Sequence, residues 1–190
     1  NPAPRHLALL EHRQSPLPHR NVKPHILSCF RDIALAIGPA FEAYLSTAMA
    51  VLQQASMVQN APESTDYEMM EYVNDLREGI AEAYVGIVSG FRSAGKADVL
   101  LPYMDYTIAF IGIVASDMDR SETLLRNTIG LLGDIASAYP SGPVMAKLQQ
   151  PWVREYIKVG RSRGHGPATR KTSGGAREML KKAVGAPVLS

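Results

Sequence analysis

Three apolar helical stripes in this chain superpose on one another, and few folds allow that. With Asp32, Gly86 and Asp134 placed in register, Phe30 falls on Tyr84 and Leu132, Ile33 on Ile87 and Ile135, and Ile37 on Phe91 and Tyr139. The offsets, 54 and 48 residues, lie slightly above the roughly 40 to 47 residues of HEAT and armadillo repeats. The segments "NAPESTD" and "SAGKAD" supply the excess. A helical hairpin with one oily stripe cannot hide it alone, so such units must stack. A compact bundle would not need the register to hold at several positions. The pattern predicts an all-α, right-handed α-solenoid of antiparallel helix pairs, of the HEAT-repeat type.

Apolar spacing of three and four residues marks the individual helices. Ile26, Cys29, Phe30, Ile33 and Ile37 predict a helix over 22–37 with Cys29 in its core stripe. Gly38-Pro39 ends it and opens a second helix carrying Phe41, Tyr44, Leu45, Ala48, Val51, Leu52 and Ala55. Further helices are expected over 65–91, 98–115, 121–138 and 144–149, with another from Pro151. The basic, glycine-rich "GRSRGHGPATRKTSGG" is read as a loop before a last helix ending near Val184. Residues 1–20 are read as the remnant of a preceding repeat or a linker. Repeats then occupy 21–60, 61–117 and 118–150, and a terminal repeat over 151–190 holds the flexible basic loop. No strand pattern is present.

At 190 residues and 46% hydrophobic, the chain can bury a real core and is read as soluble. No uninterrupted apolar run reaches the roughly 18 residues that cross a bilayer. The opening "NPAPRHLALLEHR" lacks the order of a secretory signal and has no initiator Met, so the chain reads as a piece of a longer protein. Cys29 is the single cysteine. No internal disulfide can form, and a cytosolic or nuclear setting is the default. The net charge of +2 hides an uneven layout: seven acids against one base from Glu63 to Glu82, and ten bases against two acids from Lys147 to Lys182. Such runs are solvated faces unless they sort partners by charge.

Catalytic chemistry is not expected. The histidines (His6, His12, His19, His25, His165) show neither an HExxH pattern nor cysteine partners, so no metal site is inferred. The tail "GPATRKTSGG" has Arg170 where a phosphate loop needs glycine before its lysine. Glu71, Asp75 and Glu78 are ordinary helical neighbours on a wet face, with no pocket to raise a carboxyl pKa. Asp32 and Asp134 are expected to bond neighbouring backbone across the stack. No enzyme activity and no cofactor follow.

The string "VKPHILSCFRDIALAIGPAFEAYLSTAMAVLQQAS" resembles the C-terminal part of the importin beta (karyopherin) family. The resemblance continues through "YEMMEYVNDLREGIAEAYVGIVSGF", "IGLLGDIASAY" and "WVREYIKVGRS" to "AREMLKK", covering nearly all of the chain after Asn21. It implies about the last four HEAT repeats of a nuclear import receptor found in cytoplasm and nucleus and at nuclear pores. It also implies three partners: the basic importin-beta-binding segment of importin alpha, Phe-Gly nucleoporins, and Ran-GTP through the whole receptor. In that family the second helix of each pair lines the groove, which points to Glu42, Asp98 and Asp105 as adaptor contacts. The acidic cluster from Glu68 to Glu82 then lies on a first helix, facing outward. Where the family carries a Trp in an "ARWAR"-like motif, this chain has "SGGAR", which puts Gly175 in the place of the ring. Trp152 is expected to pack between repeats. Met69, Met70 and Tyr72 are the candidates for Phe-Gly contact, if they are exposed. The rival readings are a HEAT scaffold of a phosphatase or chromosome-associated complex, and a basic nucleic-acid-binding surface. The second would need aromatic residues that the tail lacks beyond Tyr156.

Overall fold

A computed structural model describes residues 22–58 and 67–185. The N-terminal segment read as a repeat remnant, three of the five histidines and residues 59–66 lie outside the described residues. Eight α-helices are described: α1 Val22–Ile37, α2 Glu42–Ser56, α3 Tyr67–Ser93, α4 Met104–Ser116, α5 Glu122–Ala138, α6 Gly142–Leu148, α7 Pro151–Gly160 and α8 Pro167–Gly185. Two 3-10 segments, Gly38–Phe41 and Ala97–Tyr103, lead into α2 and α4. No strand occurs among the described residues.

The helix ends follow from local chemistry. Gly38 adopts a φ of +53°, which a side chain would disfavour, and Pro39 then opens the next turn. Gly95, at a φ of +67°, closes α3, with the Lys96 N–H donating to the Phe91 carbonyl at 2.9 Å. Ser121 caps α5 by accepting from the Leu124 N–H at 3.0 Å.

The helices α1, α3, α5 and α8 lie side by side in one row, in chain order. Glycines set their spacing. A Cβ at Gly86 would stand 2.6 Å from the Arg31 Cα, and one at Gly133 would stand 3.0 Å from the Ala176 Cα. Gly90 faces Ala34 and Gly130 faces Thr172, so residue numbers rise together along each pair and the row is parallel. Parallel neighbours require a return path. The second row supplies it: α2 packs on α3, α4 on α5, and α7 on α8. The core between the rows includes Leu52, Ile80, Tyr84, Ile87, Phe91, Phe110, Ile111, Leu132 and Ile135. The Tyr84 and Phe110 rings meet in a tilted pair, 5.7 Å between centroids.

Polar bonds between units carry the signature of the repeat. Arg77 pairs with Asp117, Glu78 accepts from the Ser121 hydroxyl, and Arg92 pairs with Asp134 at 2.6 Å. Glu122 accepts from the Gly166 N–H at 2.8 Å and from the Thr169 hydroxyl at 2.6 Å. These bonds span 40 to 47 residues, one repeat length, as expected when each unit touches only its neighbours.

Three sequence expectations change. Cys29 is exposed, and so are Ile26, Ile33 and Ile37; α1 instead buries Leu27 and Ala34, with Phe30 half-buried. Two apolar stripes run side by side on α1, and only the face toward α3 is covered among the described residues. The basic glycine-rich stretch is a loop only over 161–166, because α8 begins at Pro167 and runs unbroken through Gly174 and Gly175. Its small buried residues allow close approach on two sides, Thr169 and Ala176 against α5 and Ser173 against Gly160 of α7. That packing outweighs the weak helix propensity of two glycines. Finally, α7 is not the first helix of a terminal repeat. It takes the second-row place after the short α6, and α8 continues the first row.

Two stretches, His25–Ser56 and Ala97–Ser116, meet the length and composition of a membrane span, although neither is an uninterrupted apolar run. The first is broken at Gly38-Pro39 into helices of 16 and 15 residues, each shorter than the ~20 a bilayer needs. The second buries Leu100, Met104, Phe110, Ile111 and Val114 in the core.

Candidate protein-binding face

The starts of the second-row helices bring acid and aromatic residues together. Glu42 occupies the first turn of α2, with Tyr44 two residues on and 61% exposed. Asp105 occupies the first turn of α4, with Tyr106 beside it and 51% exposed. Asp98 stands in the 3-10 segment that leads into α4. Carboxylates in a first turn are favoured by the unpaired N–H groups there, which explains why this edge is acidic.

Both terminal carboxylates are engaged by the next unit. Glu42 meets the Lys96 ammonium at 3.4 Å, and Asp105 pairs with Lys147 of α6. All four side chains are more than a third exposed, so each pair contributes at most about 1 kcal/mol and is open to exchange. Asp98 has a different neighbour. The Tyr139 hydroxyl donates to the Ala97 carbonyl, and burial, aided by the Asp98 charge, pushes that hydroxyl up to about 12.

Gly175 does not join this edge. It lies on α8, in the first row, and a Cβ there would meet nothing within 4 Å. Trp152 is half-buried against the core and its indole N–H donates to Gln150 at 3.1 Å. It also walls a cleft of about 400 Å³ between α4 and α7, with Gly112, Ala115, Tyr156 and Val159. Met69 and Met70 are half-buried at the start of α3, and Tyr72 packs on the core. Asp32 is exposed, and Asp134 bonds the Arg92 side chain instead of backbone.

Sequence reasoning missed the role of Asn74 and Glu122. One repeat apart in the 48-residue register, each caps the start of the following first-row helix. Asn74 donates to the Asp119 carbonyl at 3.0 Å and accepts from the Ser121 N–H at 3.4 Å. Glu122 only accepts, from the Gly166 N–H and the Thr169 hydroxyl. The hydroxyl of Thr169, then the Gly166 N–H, and to a lesser degree the charges of His165 and Arg126, hold the Glu122 carboxyl below its usual range. Among the described residues, no group of three His, Cys, Asp or Glu side chains is placed to hold a metal ion.

A sequence profile described as importin subunit beta-1-like, TPR repeats, matches residues 7–161. The chain belongs to the importin beta family. Importin subunit beta-1 of Schizosaccharomyces pombe is 41% identical over 174 residues, and that of Saccharomyces cerevisiae is 37% identical over 171. These matches cover 92% and 88% of this chain but 20% and 19% of the relatives, so the chain spans about a fifth of their length. A solved importin beta, crystallised in ammonium sulfate, superposes with a TM-score of 0.84 at 41% identity, over 92% of this chain and 20% of that one. A Kap95:Nup1 complex gives 0.79, and a structure of Kap95p with RanGDP gives 0.80. Both are 36% identical over 91% of this chain and 20% of the neighbour. The importin beta neighbours agree with the stacked two-row fold.

Proposed function

We propose that this chain is the C-terminal part of a nuclear import receptor, working between cytoplasm and nucleus at nuclear pores, and that its second-row face grips the basic segment of importin alpha. The observation that carries the adaptor reading is the repeated acid and tyrosine pair, Glu42 with Tyr44 and Asp105 with Tyr106, at the starts of α2 and α4. A Lys/Arg-rich helix finds there both a carboxylate and an aromatic face. It would displace Lys96 and Lys147 from pairs that are weak in solvent. Asp98 adds a third negative charge to the same edge. Charge attraction of this kind raises encounter rates and fades with salt.

The Nup1 and Ran complexes formed by structural neighbours support nucleoporin and Ran-GTP contact by the whole receptor. Met69 and Met70 remain the proposed Phe-Gly contacts, at the edge of the first row. In a titration of the labelled basic adaptor segment against the chain, binding weakens steadily with salt. Glu42→Gln with Asp105→Asn costs about tenfold, at roughly 0.5–1 kcal/mol for each exposed charge. A Phe-Gly peptide and a short DNA serve as parallel arms. Equal binding of the adaptor segment by the double variant, or retention of DNA alone, would overturn the reading.

A further inference from the structure

A second cleft, of about 500 Å³, opens at the other end of the stack, between α6, α7 and α8. Its floor is aliphatic: Leu148, Ile157, Leu180 and Val184. Its two walls are cationic. Along α7 and its C-terminal cap, Arg154, Lys158 and Arg161 recur at four and three residues, and along α8, Arg177 and Lys181 recur at four. Each wall is therefore a track of positive charge on one helix face, with the oily seam between the tracks.

The local carboxylates do not neutralise these tracks. Lys158 touches Glu155 at 3.4 Å, while Arg177 and Lys181 share the single Glu178 at 3.3 and 3.5 Å. All of these are solvent-exposed contacts of little strength. Among the described residues, Arg154 and Arg161 have no carboxylate partner. Five cations thus face two carboxylates around an apolar floor.

We propose that this cleft is a docking site for an acidic amphipathic helix of a partner protein. The occupant lays an aliphatic stripe on Leu148, Ile157, Leu180 and Val184 and sets carboxylates from both of its flanks against the two walls. The span from Arg154 to Arg161 is about two helical turns, or ~10 Å, so a helix of two to three turns fills it. The chemistry selects this occupant over others. A basic adaptor segment is repelled by the walls. Single-stranded nucleic acid binds by stacking bases on aromatic rings, and no aromatic side chain lines the cleft. The site is independent of the face proposed for the adaptor.

The test uses the 190-residue chain and a labelled synthetic helix with leucines on one face and glutamates on both flanks, read by fluorescence anisotropy. Three probes run beside it: a scrambled peptide of the same composition, a short single-stranded DNA, and phosphatidylserine vesicles. The amphipathic peptide binds at low salt and the scrambled one at least tenfold more weakly, because the floor requires a continuous stripe. Arg154→Glu with Lys181→Glu, one charge reversed on each wall, abolishes binding while the circular dichroism spectrum and thermal midpoint stay unchanged. Leu180→Ala weakens binding without touching a charge. No binding of the amphipathic peptide, equal binding of the scrambled peptide, an undiminished double variant, or tighter retention of DNA or vesicles than of the peptide each overturns the proposal.

Discussion

The same substitution, glycine to alanine, should have opposite signs at two helical positions of this chain. At Gly175 the helix is regular and a new Cβ meets nothing within 4 Å, so only intrinsic propensity changes, and Gly175→Ala stabilises by about 1 kcal/mol. At Gly86 the propensity gain is the same, but the Cβ would stand 2.6 Å from the Arg31 Cα and 2.9 Å from its Cβ. The first of these is backbone and cannot rotate away. Ordinary contact begins near 3.4 Å, so α1 must retreat from α3 by close to 1 Å, a gap that forfeits a quarter to a half of each dispersion contact along the seam. Overpacking of this kind costs about 1–3 kcal/mol, and after subtracting the propensity gain Gly86→Ala is destabilising by up to about 2 kcal/mol. For a chain of this size each kcal/mol moves the thermal midpoint by about 2–4 °C. Circular dichroism melts of the two variants therefore diverge, Gly175→Ala upward and Gly86→Ala downward. Hydrogen exchange places the added exchange of Gly86→Ala in α1 and the facing stretch of α3. A Gly86→Ala variant that melts at or above the parent would refute the close parallel packing on which the two-row stack rests.

Two further outcomes follow from the polar bonds between units. Asp117→Ala leaves the Arg77 guanidinium, 5% exposed, without its partner. It should cost about 3 kcal/mol in urea unfolding, whereas Asp117→Asn, which keeps an acceptor, should cost less. The Glu122 carboxyl titrates below its unfolded value of 4.5. The stability it contributes is therefore present above that value and lost as pH falls through the lower folded one. The gap in thermal midpoint between the parent and Glu122→Gln should close as pH falls below 4.5, and a gap independent of pH would show that the capping bonds to Gly166 and Thr169 do not depend on the charge.

The repeat register was legible because it depends on residues that every internal unit must bury. Ile87 and Ile135 are fully covered, as is Phe91. It failed at Ile33, 45% exposed, because α1 has two apolar stripes of similar strength and sequence periodicity favoured the oilier one. The decision belonged to the neighbour: Arg31 and Ala34 fit the glycines of α3, and Ile33 does not face them. The extent of α8 was hidden for a related reason. Read singly, its glycines, serine and threonines argue for a loop. Only against α5 and α7 do Thr169, Ser173 and Ala176 become surfaces small enough for close approach. The acid and tyrosine pairs were half legible, since first-turn carboxylates could be placed but their lysine partners one repeat away could not.

The bonds of one repeat length bear on how such a receptor part can respond to ligands. The helix α3 is tied to α5 at two levels, near its start by Asn74 and near its end by Arg92 with Asp134, and α5 is tied to the start of α8 by Glu122. The second row is joined from unit to unit by the exposed pairs Glu42 with Lys96 and Asp105 with Lys147. Partly buried ties resist sliding within the first row, while exposed ion pairs in the second row cost little to open. A stack fastened firmly along one edge and loosely along the other changes curvature more readily than it unfolds. A cationic ligand that competes for Glu42 and Asp105 acts on the loose edge. On the proposed adaptor reading, ligand grip and the pitch of the arc are then set by the same two carboxylates.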